Sequence, residues 1–307
     1  MKKKYPISNE FFPMNHFTTP TSLPMIKIIN SILRPPVFLW TDPQLDIEQV
    51  SISGYQGDMI DVLIMTPKNI KEPAPCIVDF HGGGFIFEAF MSHYRIATMY
   101  AKYGRCKVVF VNYRTVPKYP LPYPQEDCFA TYKWLCDNAE ELGVDPTRIG
   151  VLGDSAGGML VASTCMLARD RGLKYLPCFQ LLIYPWLDDR YITESARKYT
   201  DTPMWNSTLG DKLKPLLNID PDKLPLVMHS PIEVDNYNDL PPAYIEVAEF
   251  DCLHDEGIIY GRKLKETGKE VHIYEVKNAM HAFDTRVGAP TSIKMIKNRI
   301  RYIRSMV

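Results

Sequence analysis

From residue 48 onward, short β-rich runs alternate with segments of helical length, an order that few folds accommodate. Residues 50–55 and 60–65 alternate apolar and polar side chains like a hairpin at a sheet edge, joined through Gln56-Gly57-Asp58. Further β-rich runs follow at 76–80, 107–113, 148–152, 178–184, 243–249 and 271–276. Helical-length segments at 92–102, 125–142, 156–171, 255–267 and 291–305 separate most of them. Strands alternating with helices make βαβ units, hence an α/β fold whose mainly parallel sheet carries helices on both faces. With 307 residues, 46% of them hydrophobic, the chain can bury one large core around such a sheet.

Two regions break the pattern. Residues 186–239 are proline-rich and lack strand periodicity, and a stretch of that length reads as an insertion or lid. In residues 1–45, Ser22 can cap a short helix with Met25, Ile26, Ile29, Ile32 and Leu33 at helical spacing. Pro35-Pro36 stops it. An amphipathic terminal helix can lie on a membrane, but one with only Lys27 inside it more often packs on its own protein.

The net charge of −1 gives no electrostatic reason to expect nucleic acid or an acidic membrane as partner. No stretch approaches the roughly 20 apolar residues that span a bilayer. The basic start is followed by Tyr5-Pro6-Ile7-Ser8-Asn9-Glu10, where a signal peptide needs an apolar run. Seven dispersed cysteines without a C-x-x-C pair point to free thiols, not a metal site, and to the cytoplasm.

Gly153-Asp154-Ser155-Ala156-Gly157 fits G-x-S-x-G directly between the run at 148–152 and an alanine-rich helix. The pattern alone arises by chance in about one chain in ten of this length, so its strand-to-helix context carries most of the weight. There the serine takes a strained turn, and the helix N-terminus favours a developing oxyanion. His81-Gly82-Gly83-Gly84 follows the run at 76–80. Its glycines free backbone N–H groups, so those of Gly83, Gly84 and Ala156 can form an oxyanion hole. A phosphate loop is the rival reading, but the Lys-Ser/Thr that a P-loop needs is missing.

A serine nucleophile on this fold needs an acid and then a base further along the chain. His281 lies just past a strand end, whereas His272 is inside a strand, His229 is in the insertion and His254 is three residues beyond the acid candidate. Asp251 comes straight after the run at 243–249. Its rivals Asp255 and Glu256 open the next helix, where carboxylates commonly serve as N-terminal charges. His81, Ser155, Asp251 and His281 thus each fall at the C-terminal end of an expected strand, where open α/β sheets bind ligands.

From 75 to the C-terminus the chain resembles the hormone-sensitive-lipase family of α/β-hydrolases. The resemblance rests on His81 to Gly84, Gly153-Asp154-Ser155-Ala156-Gly157-Gly158, Tyr113-Arg114-Thr115-Val116-Pro117 and Met280-His281-Ala282-Phe283. The family's acid motif D-P-L-x-D-E-G is matched by Asp251-Cys252-Leu253-His254-Asp255-Glu256-Gly257, with Cys252 in place of proline. Lys118 stands where the family usually has glutamate. The resemblance implies an eight-stranded α/β-hydrolase body (residues 46–185 and 240–307) under a mainly helical cap made of residues 1–45 and 186–239. It further implies carboxylesterase activity on short-acyl esters without a cofactor, and carries over a homodimer as an expectation.

Two other functions share these motifs. Gibberellin receptors of the same family use the pocket only for binding and lack the base histidine, which this chain keeps as His281. An amidase or peptidase uses the same triad, and the motifs do not distinguish leaving groups.

Overall fold

The computed structural model describes residues 4–32 and 40–307. Strands β1 (Leu45–Ser53), β2 (Met59–Pro67), β3 (Ala74–Phe80), β4 (Lys107–Asn112), β5 (Val144–Asp154), β6 (Gln180–Ile183), β7 (Ala243–Phe250) and β8 (Val271–Met280) form one sheet. Its order is β1-β2-β4-β3-β5-β6-β7-β8. β1 pairs antiparallel with β2, and β2 antiparallel with β4. From β4 to β8 all pairing is parallel. The expected alternation of the edge hairpin does not hold in β2: Val62 and Ile64 join the core on one face and Leu63 and Met65 that on the other. β1 at the edge is mostly exposed, while Val108, Val109, Phe110 and Val111 of β4 are all buried between two helical layers. Val109 and Val111 join the core on one face, Val108 and Phe110 that on the other.

The α-helices of the described residues are α1 (Leu23–Ile32), α2 (Met91–Gly104), α3 (Tyr123–Asp137), α4 (Ala156–Asp170), α5 (Glu194–Lys198), α6 (Ser207–Leu213), α7 (His254–Glu266) and α8 (Pro290–Met306). α3 starts two residues earlier than its apolar pattern suggests, because Pro124 in a first turn needs no N–H partner. The region 186–239 contains no strand; it holds α5, α6 and three 3₁₀ turns.

α1 forms where expected, with the Ser22 carbonyl accepting the Ile26 N–H at 3.0 Å. Its buried stripe is narrower than the spacing implies. Ile26 is buried, but Met25 and Ile32 are 47% and 72% exposed. Leu33, Pro35-Pro36 and Phe38 lie outside the described residues. The N-terminal segment and the 186–239 region meet at a bridge between Thr18 and Met204, with the Met204 N–H donating to Phe17 O at 2.8 Å. Among the described residues no helix is long and apolar enough to cross a membrane.

One buried charge cluster ties the last helix to the sheet. Arg299 of α8 reaches Glu246 of β7 (3.0 and 2.5 Å), Asp284 (2.6 Å) and the Tyr100 hydroxyl (3.2 Å). Truncating one partner of a buried ionic cluster strands the other charges, at a cost of about 3–5 kcal/mol. Arg299→Met should therefore lower the melting temperature by about 10 °C. A melting curve within 2 °C or so of wild type would show that the cluster adds little.

Candidate active site

Strand order reverses at β3, with β4 on one side and β5 on the other, which opens a crevice beyond their carboxyl ends. His81 follows β3 by one residue, Ser155 follows β5, Asp251 follows β7 and His281 follows β8. The sheet register alone brings these four to one rim.

Ser155 sits between β5 and α4 at φ 54°, ψ −118°, a conformation costly for any residue with a Cβ. The turn is tight because α4 packs directly on β3: a Cβ on Gly157 would lie 1.9 Å from Phe80 O. His281 Nε2 is 2.9 Å from Ser155 Oγ, and its Nδ1 is 2.7 Å from Asp251 Oδ2. Both His281 and Asp251 are buried. With Asp251 ionised, Nδ1–H donates to the carboxylate and Nε2 accepts the serine proton. The other Asp251 oxygen accepts the Leu253 N–H at 3.0 Å, which fixes the carboxylate.

The rival acids are engaged elsewhere. Asp255 accepts the Ser195 N–H at 2.7 Å and contacts His254 Nδ1 at 2.9 Å. Glu256 accepts the N–H groups of Leu187 and Asp188, and burial pushes its carboxyl well above the usual range. His81 stacks on Tyr113 at 4.3 Å, and its carbonyl accepts the Tyr113 hydroxyl at 2.7 Å. Burial lowers its imidazole to about 3, so it is a neutral prop for the glycine loop.

Among the described residues, the N–H groups of Gly83, Gly84 and Ala156 donate no hydrogen bond within the protein. Gly83, Gly84, Ser155 and His281 line a cavity of about 620 Å³. Met14, Phe17 and Ile29 from the N-terminal segment and Met204 and Trp205 from the 186–239 region supply much of its apolar wall. Trp205 packs so closely on the loop that its ring would lie 3.1 Å from a Cβ on Gly84.

One residue of this site stands in the motif only as filler: Asp154, the variable place in G-x-S-x-G. Its Oδ1 accepts the Gly82 N–H at 2.9 Å and its Oδ2 faces His93 Nε2 at 3.4 Å. Burial pulls this carboxyl up, but His93 and the Gly82 N–H outweigh it and hold the group below the usual carboxylate range. A carboxylate two positions from a glycine-rich turn's helix, paired with an H-G-G-G loop, is the signal that could have found it.

A family model for the alpha/beta hydrolase fold matches residues 77–285. Carboxylesterase NlhH of Mycobacterium tuberculosis (strain ATCC 25618 / H37Rv) is 34% identical over 261 residues, covering 83% of this chain and 80% of that protein. An arylesterase of Saccharolobus solfataricus is 32% identical over 221 residues, covering 72% of this chain and 71% of that protein. Among solved structures, a bacterial heroin esterase superposes with a TM-score of 0.87 at 29% identity, covering 98% of each chain. The chain belongs to the α/β-hydrolase fold family, in the hormone-sensitive-lipase-like group that its H-G-G-G and G-D-S-A-G-G motifs resemble.

Proposed function

We propose that this protein is a serine carboxylesterase acting on small esters. The observation that carries the reading is the line Ser155–His281–Asp251, closed by two hydrogen bonds beside three unused N–H groups. Ser155 Oγ attacks the ester carbonyl while His281 Nε2 takes its proton; Asp251 keeps the resulting imidazolium oriented and compensated. The N–H groups of Gly83, Gly84 and Ala156 receive the oxyanion of the tetrahedral intermediate. His281 then returns the proton to the leaving alcohol, and water hydrolyses the acyl-enzyme by the same steps. The esterase names of the relatives support this class. A screen of neutral aryl, alkyl and sugar acetates tests it, and absence of turnover on every ester would overturn it.

The described residues of the 1–45 segment and the 186–239 segment act as a cap over a body formed by 46–185 and 240–307. The cavity volume lies within the range of about 300–1,000 Å³ usual for small-molecule sites. Close to Ser155, Trp205 packs on Gly84 with its ring centroid 6.4 Å from that of His281, and so stands as a wall for the acyl chain. Each methylene that fits gains roughly 0.8 kcal/mol, and one too many strains a packed wall. Across p-nitrophenyl esters from acetate to palmitate, below micelle formation, kcat/KM should peak at about six carbons or fewer. Trp205→Ala should move the maximum to longer chains. A wild-type maximum at the long-chain end would instead make the enzyme a lipase.

A further inference from the structure

An oxyanion hole is useful only if its donors stay aimed without reorganisation, and a run of three glycines cannot hold itself still. The anchor lies one residue before the nucleophile. Asp154 Oδ1 accepts the Gly82 N–H at 2.9 Å, so one carboxylate links the serine turn to the glycine loop. Gly82 has no Cβ because that atom would sit 2.3 Å from Asp154 Oδ2. A buried carboxylate needs donors on both oxygens to remain ionised and fixed.

The second donor comes from α2. His93 Nε2 faces Asp154 Oδ2 at 3.4 Å, with both side chains largely buried. Its other nitrogen, Nδ1, accepts the Phe90 N–H at 2.9 Å. A nitrogen that accepts an N–H carries no proton, so in the neutral ring the proton is on Nε2, the nitrogen 3.4 Å from Asp154 Oδ2. Burial lowers the proton affinity of this ring, but Asp154 together with Asp79 and Asp284 raises it overall. Nε2 carries a proton in the charged ring as well, so it faces Asp154 as an N–H in either protonation state. The ring is held between Phe90 (centroids 5.6 Å apart) and His81 (5.7 Å). Gly82 N–H and His93 are the two partners of the Asp154 carboxylate among the described residues.

We propose that His93 is a positioning residue whose Nε2–H, acting through Asp154, holds Gly82 so that Gly83 and Gly84 present their N–H groups to the developing oxyanion. The proposal rests on the esterase reading above. His93 touches no reacting atom; it transmits the fixed position of the α2 N-terminus to the loop.

The two nitrogens can be replaced separately. In His93→Asn the amide oxygen can still accept the Phe90 N–H, but nothing reaches Asp154. In His93→Gln the longer amide can donate to Asp154. On p-nitrophenyl acetate, His93→Asn should lose about 10- to 100-fold in kcat with KM changed less than about twofold, since a displaced oxyanion donor acts on the transition state. His93→Gln should keep kcat within about threefold of wild type. A trifluoromethyl ketone, whose hemiketal oxygen occupies the same hole, should bind His93→Asn more weakly in step with the lost kcat. Melting curves report whether each variant is folded. His93→Ala offers a second route, because His93 lines the main cavity and the vacated space is open to added imidazole. Saturable recovery of kcat with imidazole, beyond a Ser155→Ala blank, is expected.

Equal losses in the Asn and Gln variants, or a folded His93→Asn with wild-type kcat, overturn the role of His93. So does an Ala variant that imidazole leaves unchanged. Absence of wild-type turnover would instead overturn the esterase reading itself.

Discussion

Ser155→Ala should reduce ester turnover by about a thousandfold or more while leaving the protein folded. The expected size follows from geometry: Ser155 Oγ is the atom to which His281 Nε2 is hydrogen-bonded, and members of such a line act as a unit. Stability should not fall, since alanine removes no packing and keeps the backbone at φ 54° no more strained than serine does. Ser155 is 7% exposed at the foot of the cavity, so a small fluorophosphonate can reach it. Wild type should take up one equivalent of that probe on Ser155, and Ser155→Ala none. Stoichiometric labelling of a different serine would sink the assignment.

That residue was the easiest to find in the sequence, for a physical reason. Strand, strained turn and helix are contiguous, so the whole device lies within one short window. The glycine loop Gly82 to Gly84 is contiguous too, and three glycines in a row leave backbone N–H groups open to a ligand. The parallel sheet was legible because buried strands are continuously apolar, and β4 shows this over Val108, Val109, Phe110 and Val111. Asp251 was harder. Three carboxylates, Asp251, Asp255 and Glu256, crowd one motif, and only the contacts of Asp255 with Ser195 and of Glu256 with Leu187 and Asp188 remove the rivals.

Interactions between residues far apart in the chain left no trace in spacing. Arg299 stands in Lys297-Asn298-Arg299-Ile300, which reads as the charged face of an amphipathic helix. Its partners Glu246 and Asp284 lie on β7 and in the turn after β8, and their meeting depends on sheet order. Asp154 and His93 are hidden in the same way, being 61 positions apart by their numbers and joined only where α2 meets the end of β5. The α1 stripe shows the opposite error. Periodicity identified the helix, but Ile26 alone of its apolar residues is fully buried, because how many apolar positions find cover is decided by the surface they meet.

His281→Gln should remove turnover on a scale comparable to loss of the serine, about a thousandfold, because proton transfer and serine activation fail together. Each rival histidine has another attachment. His254 contacts Asp255 at 2.9 Å and Glu275 at 3.3 Å, His272 contacts Glu270 at 2.9 Å, and His229 contacts Asp189 at 3.0 Å. None of these contacts involves Ser155, so His254→Gln and His272→Gln should keep turnover within about threefold of wild type. Glutamine preserves a donor and an acceptor of similar reach but cannot take a proton at neutral pH, so the comparison isolates base function from packing. Because His281 must be uncharged to accept the serine proton, wild-type kcat/KM should also fall on acidification, and the residual rate of His281→Gln should not follow that limb. Loss of turnover in His254→Gln with activity retained in His281→Gln would reassign the base. It would also mean that the hydrogen bond at 2.9 Å between His281 and Ser155 plays no part in catalysis.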